Sequence, residues 1–136
     1  MAFGTFDLLH PGHVEFLRRA SGLGDELIVS VARDVNAKKF KGLAPVFSES
    51  DRRMLVGALR FVKKAVLGDK RNYLLHILKL RPDIIALGYD QTAYVKELKA
   101  DIKRLKLGTK VVRLPGYKPG LYKSSRFKSS IRKLHV

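Results

Sequence analysis

Short apolar, β-branched runs alternate along this chain with stretches of helical periodicity, and that alternation restricts its architecture more than any other feature. Glu26 to Arg33 (ELIVSVAR) follows a Gly24-Asp25 turn and is apolar at successive positions, the pattern of a strand covered on both faces. Lys64 to Leu67, Asp83 to Leu87 and Thr109 to Leu114 read the same way. Between them, Gly12 to Ser21 places Val14, Leu17 and Ala20 on one helical side. Ser48-Glu49-Ser50-Asp51 has the form of a capping box opening a helix to Leu59. Asn72 to Leu80 and Tyr94 to Leu105 carry apolar residues at helical spacing. Strands and helices in alternation build parallel βαβ units, so the expected fold is α/β: a doubly wound, open parallel sheet. No repeat or linker interrupts the 136 residues, which read as one domain, 1–136, large enough for its own core.

In such sheets ligands bind beyond the carboxyl ends of the strands, where the strand order switches direction. Phe3 to His13, Arg33 to Pro45 and Gly88 to Ala93 are read as loops leaving strands at that edge, so residues far apart in sequence converge there. The densest of these loops is Gly4-Thr5-Phe6-Asp7-Leu8-Leu9-His10-Pro11-Gly12-His13. Pro11 suits the first helical position, where its missing N–H costs nothing. Gly12 permits close backbone approach. The free N–H groups of a helix start attract anions, and His10 and His13, three apart, point to nearly the same side. Two imidazole donors and a helix N-terminus facing one spot make a phosphate site. Zinc sites on helices use i,i+4 histidines with an intervening Glu and a third ligand, which this spacing does not offer.

Other segments add candidates. Arg33 and Asp34 close the second strand, and the cationic loop after them, with Lys38, Lys39 and Lys41, can clamp phosphates. Asp90, in Gly88-Tyr89-Asp90-Gln91, sits to read a base or ribose or to help hold a divalent ion. Towards the end, Tyr117 precedes a hydroxyl-rich basic stretch. There Lys123-Ser124-Ser125-Arg126, or in a second register Ser129-Ser130-Ile131-Arg132, forms another anion cradle at a helix start. Residues 118–136 are expected to be a basic segment closing the site.

Composition narrows the classes. With no Cys, a disulfide framework, thiolate metal site or Cys nucleophile is excluded, which fits a reducing cytoplasm. No apolar run reaches the roughly 20 residues of a membrane span, and no signal peptide is recognisable. A formal charge of +16 favours anionic ligands and gives non-specific affinity for nucleic acid. An enzymatically silent nucleic-acid-binding module is therefore a rival reading, although backbone binding has no need of the histidine pair.

The GTFDLLHPGH segment resembles the cytidylyltransferase-like branch of the nucleotidyltransferases, a Rossmann-like fold whose members share GTFDxxHxGH. Within that family the chain is most similar to the archaeal FMN-adenylylating members, through Leu23 to Asp34, Gly42 to Pro45, Arg81 to Gln91 and Arg113 to Lys118. The resemblance implies transfer of AMP from ATP to FMN, giving FAD and pyrophosphate, with a divalent metal ion, read as Mg, as cofactor. It implies that His10 and His13 stabilise the transition state, and that Gly4, Thr5, Phe6, Asp7, Pro11, Gly12, Asp90, Tyr117, Ser124, Ser125 and Arg126 serve the nucleotide. Arg33, Asp34 and Lys41 are left to clamp the acceptor or a phosphate. The alternative within the family is cytidylyl transfer from CTP to glycerol 3-phosphate. A homodimer is expected, as is a truncated start, because only Met1-Ala2-Phe3 precede the motif where the family's first strand runs longer.

Overall fold

The computed structural model describes residues 1–134; the last two residues of the segment 118–136 lie outside the described residues. Five strands, β1 (Ala2–Gly4), β2 (Ile28–Val31), β3 (Lys64–Leu67), β4 (Ile84–Leu87) and β5 (Lys110–Arg113), form one sheet in the order β3-β2-β1-β4-β5, every pair parallel. Six helices accompany them: α1 (Pro11–Ser21), α2 (Asp34–Lys41), α3 (Glu49–Gly57), α4 (Tyr73–Leu80), α5 (Val95–Arg104) and α6 (Ser124–Leu134). The expected α/β doubly wound open parallel sheet is the observed one.

Alternation along the strands explains the two layers of core. Val29 and Val31 point to one face with Ala2 and Ala86, where α1 and α3 bring Leu17, Ala20 and Val56. Ile85 and Leu87 point to the other, against Ile77 of α4 and Leu98 and Ile102 of α5. All but Leu87, Leu98, Ile102 and Ala20 of these are essentially without solvent contact. Because side chains alternate at a period of two, Ser30 emerges on the α4 side, where its hydroxyl meets the His76 ring at 3.3 Å.

β1 is only three residues long, but its start is paired. The Met1 ammonium donates to the Ile84 carbonyl, and Ala86 N–H donates to the Met1 carbonyl. At this amino edge a cavity of about 410 Å³ lies between β2 and β4, lined by Met1, Leu27, Ile28, Pro82 and Ile84 among others.

One expectation is corrected. Residues after Arg33 form a helix, α2, where a loop to Pro45 was expected. Its signals are polar and so carry no apolar periodicity: Asp34 in the first turn, Lys38, Lys39 and Lys41 in the last, and Gly42 at φ 74° as a left-handed stop. β1 lies at the switch, with β2 on one side and β4 on the other. The segments after all three strands meet over that point.

Candidate functional site

The site is built where β1 runs into α1. Gly4 ends the strand; a Cβ there would meet the Phe6 ring at 2.7 Å. Phe6 and Leu8 both take left-handed backbone, with φ of 52° and 50°, which turns the chain sharply. Phe6 is buried and presents its ring edge-on to His13, with centroids 5.5 Å apart. It is thus the floor beneath an imidazole rather than a surface offered to a nucleotide.

His10 caps α1. Its Nδ1 accepts from Gly12 N–H at 3.1 Å and, longer, from His13 N–H at 3.4 Å, while His13 Nδ1 accepts from His10 N–H at 3.3 Å. Val14 N–H is taken by the His10 carbonyl, and Pro11 has no N–H. The expectation that free helix-terminal amides bind the anion is therefore corrected: the histidines occupy them. An Nδ1 that accepts cannot carry the proton, so each ring is the Nε2–H tautomer. The rings stack at 3.7 Å with 21° between planes, and each has Nε2–H as its donor. Burial lowers the pKa of His10. For His13, burial first, then His10 and Lys41, bring the value to about 3. Both rings are neutral at pH 7. Gly12 has a packing role here: a Cβ would lie 2.9 Å from His10 Cε1 and 3.2 Å from Tyr122 Cβ.

Asp7 was expected at the nucleotide, but it faces inward. Its buried carboxylate accepts from Val46 N–H at 2.7 Å and Phe47 N–H at 3.1 Å and pairs with Lys128 at 2.6 Å. Burial alone would raise its pKa; the Lys128 contact and the two amide bonds outweigh that, and the pKa falls. Thr5, half-buried, accepts through its carbonyl from Arg52, which also donates to the Phe47 carbonyl and to Asp34. Arg33 is likewise committed, to the Gly68 carbonyl and to Glu49. Of Arg33, Asp34 and Lys41, only Lys41 makes no ion pair among the described residues. Desolvation and Lys128 lower its pKa, while Asp7 and Asp90 pull it back.

From the basic segment, Tyr122 to Lys128 pack beside His10 and Asp7. Ser124 and Ser125 open α6, whereas Ser129 and Ser130 lie inside it. Ser124 donates to the Asp7 carbonyl at 2.5 Å, and Arg126 donates to the Gly120 carbonyl. Sequence reasoning missed Lys128. Its signal was the four-residue spacing from Ser124, which puts both on one helix face over Asp7. It also missed Tyr122 and Phe127, whose rings lie 6.1 Å and 5.6 Å from His10, with Tyr117 stacked parallel on Tyr122 at 6.0 Å. Pro11, exposed, joins His10, Leu9, Val14, Glu15 and Tyr117 around an open cleft of about 430 Å³.

On the far side of the switch, Gln91 bridges two strand ends. Its Oε1 accepts from Gly88 N–H at 2.7 Å and its Nε2 donates to the Phe3 carbonyl at 2.8 Å. Asp90 beside it is exposed. Among the described residues no group of three or more His, Cys, Asp or Glu side chains is placed to hold a metal ion, and no helix is long and apolar enough to cross a membrane.

Residues 1–131 match the family model described as cytidylyltransferase-like. The chain is 46% identical over 125 residues to a protein named FAD synthase from Archaeoglobus profundus, covering 92% of this chain and 79% of that one. It is 40% identical over 134 residues to a FAD synthase from Thermoplasma volcanium, covering 98% and 94%. Among solved structures, the crystal structure titled lipopolysaccharide core biosynthesis protein from Thermoplasma volcanium GSS1 superposes with a TM-score of 0.82 at 42% identity, over 87% of this chain and 96% of that one.

Proposed function

The chain belongs to the cytidylyltransferase-like family, and from that membership we propose that it transfers AMP from ATP to FMN, giving FAD and pyrophosphate. It is a nucleotidyltransferase, and its 40–48% identical relatives named FAD synthase support this acceptor. One observation carries the site: His10 and His13 spend both Nδ1 atoms on the α1 terminus, which fixes two stacked Nε2–H donors.

The reaction needs no enzyme-bound covalent intermediate. A phosphate oxygen of FMN attacks the α-phosphorus of ATP in line. The bond from that phosphorus to the α,β-bridging oxygen breaks, and its electron pair leaves with pyrophosphate. Negative charge grows on the oxygens around the α-phosphorus as this happens. Because His10 and His13 are neutral, they act as oriented hydrogen-bond donors and not as countercharges. Lys41 supplies positive charge from α2, and the overall excess of cationic side chains supports it. Ser125 and Arg126 at the α6 start, with Tyr117 in the cleft beside His10, border the nucleotide.

A divalent ion, read as Mg, fits this site in one way. Mg²⁺ commonly binds through one or two carboxylates plus substrate phosphates. Asp7 is consumed by Lys128 and two amides, so Asp90 is the carboxylate that suits an ion carried by the triphosphate. When bound, such an ion neutralises the leaving pyrophosphate. We read the reaction as cytoplasmic, a reducing compartment that suits a sequence without Cys, and the enzyme as a homodimer. Sedimentation of the purified chain tests the latter.

The test of function offers purified protein ATP with FMN and, in parallel, CTP with glycerol 3-phosphate, each with a divalent ion. FAD is the expected product; CDP-glycerol in place of FAD overturns the acceptor and base. His10→Ala and His13→Ala are each expected to lower kcat on the order of 10²–10³-fold with the fold retained by circular dichroism. Near-normal rates in both would sink the assignment of the pair.

A further inference from the structure

Phe40 and Tyr94 stand out among the exposed apolar residues, because they meet. Phe40 lies in the last turn of α2 and is 55% exposed; Tyr94 precedes α5 and is 51% exposed. Their rings lie edge to face at 89°, centroids 5.1 Å apart, which forms an open right-angled corner. Tyr73, at the start of α4, backs Tyr94 at 5.9 Å and is itself pinned by its hydroxyl donating to Asp101 at 3.2 Å. Tyr94 holds a left-handed backbone, φ 60°, which a bulky residue adopts only when its surroundings impose it. Three segments that follow three different strands thus contribute one ring each. The contact joins the segments that follow β2 and β4, the two strands flanking β1 at the switch point.

The residue after Phe40 is Lys41, and Asp7, Asp90 and Lys128 lie within its electrostatic reach. The aromatic corner therefore adjoins the phosphate-handling end of the site. An acceptor suited to this arrangement has a phosphate at one end and a broad, flat, largely apolar ring system at the other. We propose that Phe40 and Tyr94 seat the flavin ring of FMN, with Lys41 directed at its phosphate, an assignment that rests on the FMN adenylylation reading. A small polyol phosphate acceptor would leave this aromatic surface unused. Aromatic corners of this kind hold planar rings by stacking on one wall and edge contact on the other.

The experiment compares wild type with Phe40→Ala, Tyr94→Leu and Tyr94→Phe, measuring kcat, KM for ATP and for FMN, and quenching of flavin fluorescence on mixing with protein. Phe40→Ala and Tyr94→Leu are expected to raise KM for FMN at least about tenfold and to weaken quenching in parallel. KM for ATP should stay within about twofold, which also shows that the variants are folded, and Tyr94→Phe should behave as wild type. Unchanged KM for FMN in both disruptive variants, with wild type making FAD, overturns the seat while leaving the reaction intact. A change of sedimentation in Phe40→Ala with unchanged FMN kinetics also overturns it and assigns the corner to contact between copies of the chain. If wild type makes no FAD at all, the failure belongs to the reaction and takes the seat with it.

Discussion

His13 shows how a single residue can be chosen for what it does without its charge. Its ordinary pKa of 6.5 falls to about 3 because burial, His10 and Lys41 all oppose protonation, with only a weaker pull upward from Asp7. The folded state therefore binds fewer protons than the unfolded one between those values, and stability must rise with pH across that window. It is complete above about 6.5 and is lost progressively as pH falls towards 3. Thermal or urea unfolding of the ligand-free protein from pH 7.5 down to 4 should show this decline, and His13→Gln should flatten part of it. An identical pH slope in the variant would show that His13 is not the responsible group. Gly12 belongs to the same scale. Gly12→Ala puts a methyl 2.9 Å from His10 Cε1, so it should displace the ring and cut turnover more than tenfold while shifting the unfolding midpoint little. A stability loss that accounts for the activity loss would remove the positioning role.

Between elements, a buried guanidinium joins what the sequence keeps far apart. Arg52 of α3 has no solvent exposure and donates to Thr5 O at 2.7 Å, Phe47 O at 3.0 Å and Asp34 at 2.7 Å, linking the turn after β1, the loop before α3 and the start of α2. Removing it leaves two carbonyls without their donor and opens a cavity. Arg52→Ala should therefore cost about 2–4 kcal/mol in denaturant unfolding. A loss below about 1 kcal/mol would mean that the loops are held by other contacts. Nothing in Asp51-Arg52-Arg53 distinguishes this residue from a solvated helical Arg, and its neighbour Arg53 is exposed. Four of the five strands, by contrast, were legible as short apolar runs, whereas β1, three residues long, is too short to show a pattern. α1 was legible because Pro11 and the flanking histidines mark its start. α2 was not, since its face over the site is built from lysines and a single buried Ala37. Asp7 was misassigned for a related reason. Motif position told where the residue lies along the chain, but only packing shows that its carboxylate turns inward to Lys128.

At the scale of the whole molecule, 28 Lys and Arg against 12 Asp and Glu create a field that no single contact accounts for. Most of these side chains sit on helix surfaces, so their individual ion pairs contribute little to stability. Summed, they attract polyanions, and both substrates of the proposed reaction are anionic. The chemistry itself takes place among groups close to the phosphorus, within a few ångströms, where mobile ions screen poorly. Encounter, in contrast, is governed over distances comparable with the Debye length, about 10 Å at 0.1 M salt and about 30 Å at 0.01 M. The two steps should separate. Raising ionic strength from 0.01 to 0.3 M with a non-binding salt should lower kcat/KM for ATP severalfold while kcat changes by less than about twofold. If kcat falls in proportion to kcat/KM, the excess charge acts on the transition state at the histidine pair and not on capture. If neither changes, the +16 is solvated surface with no part in turnover.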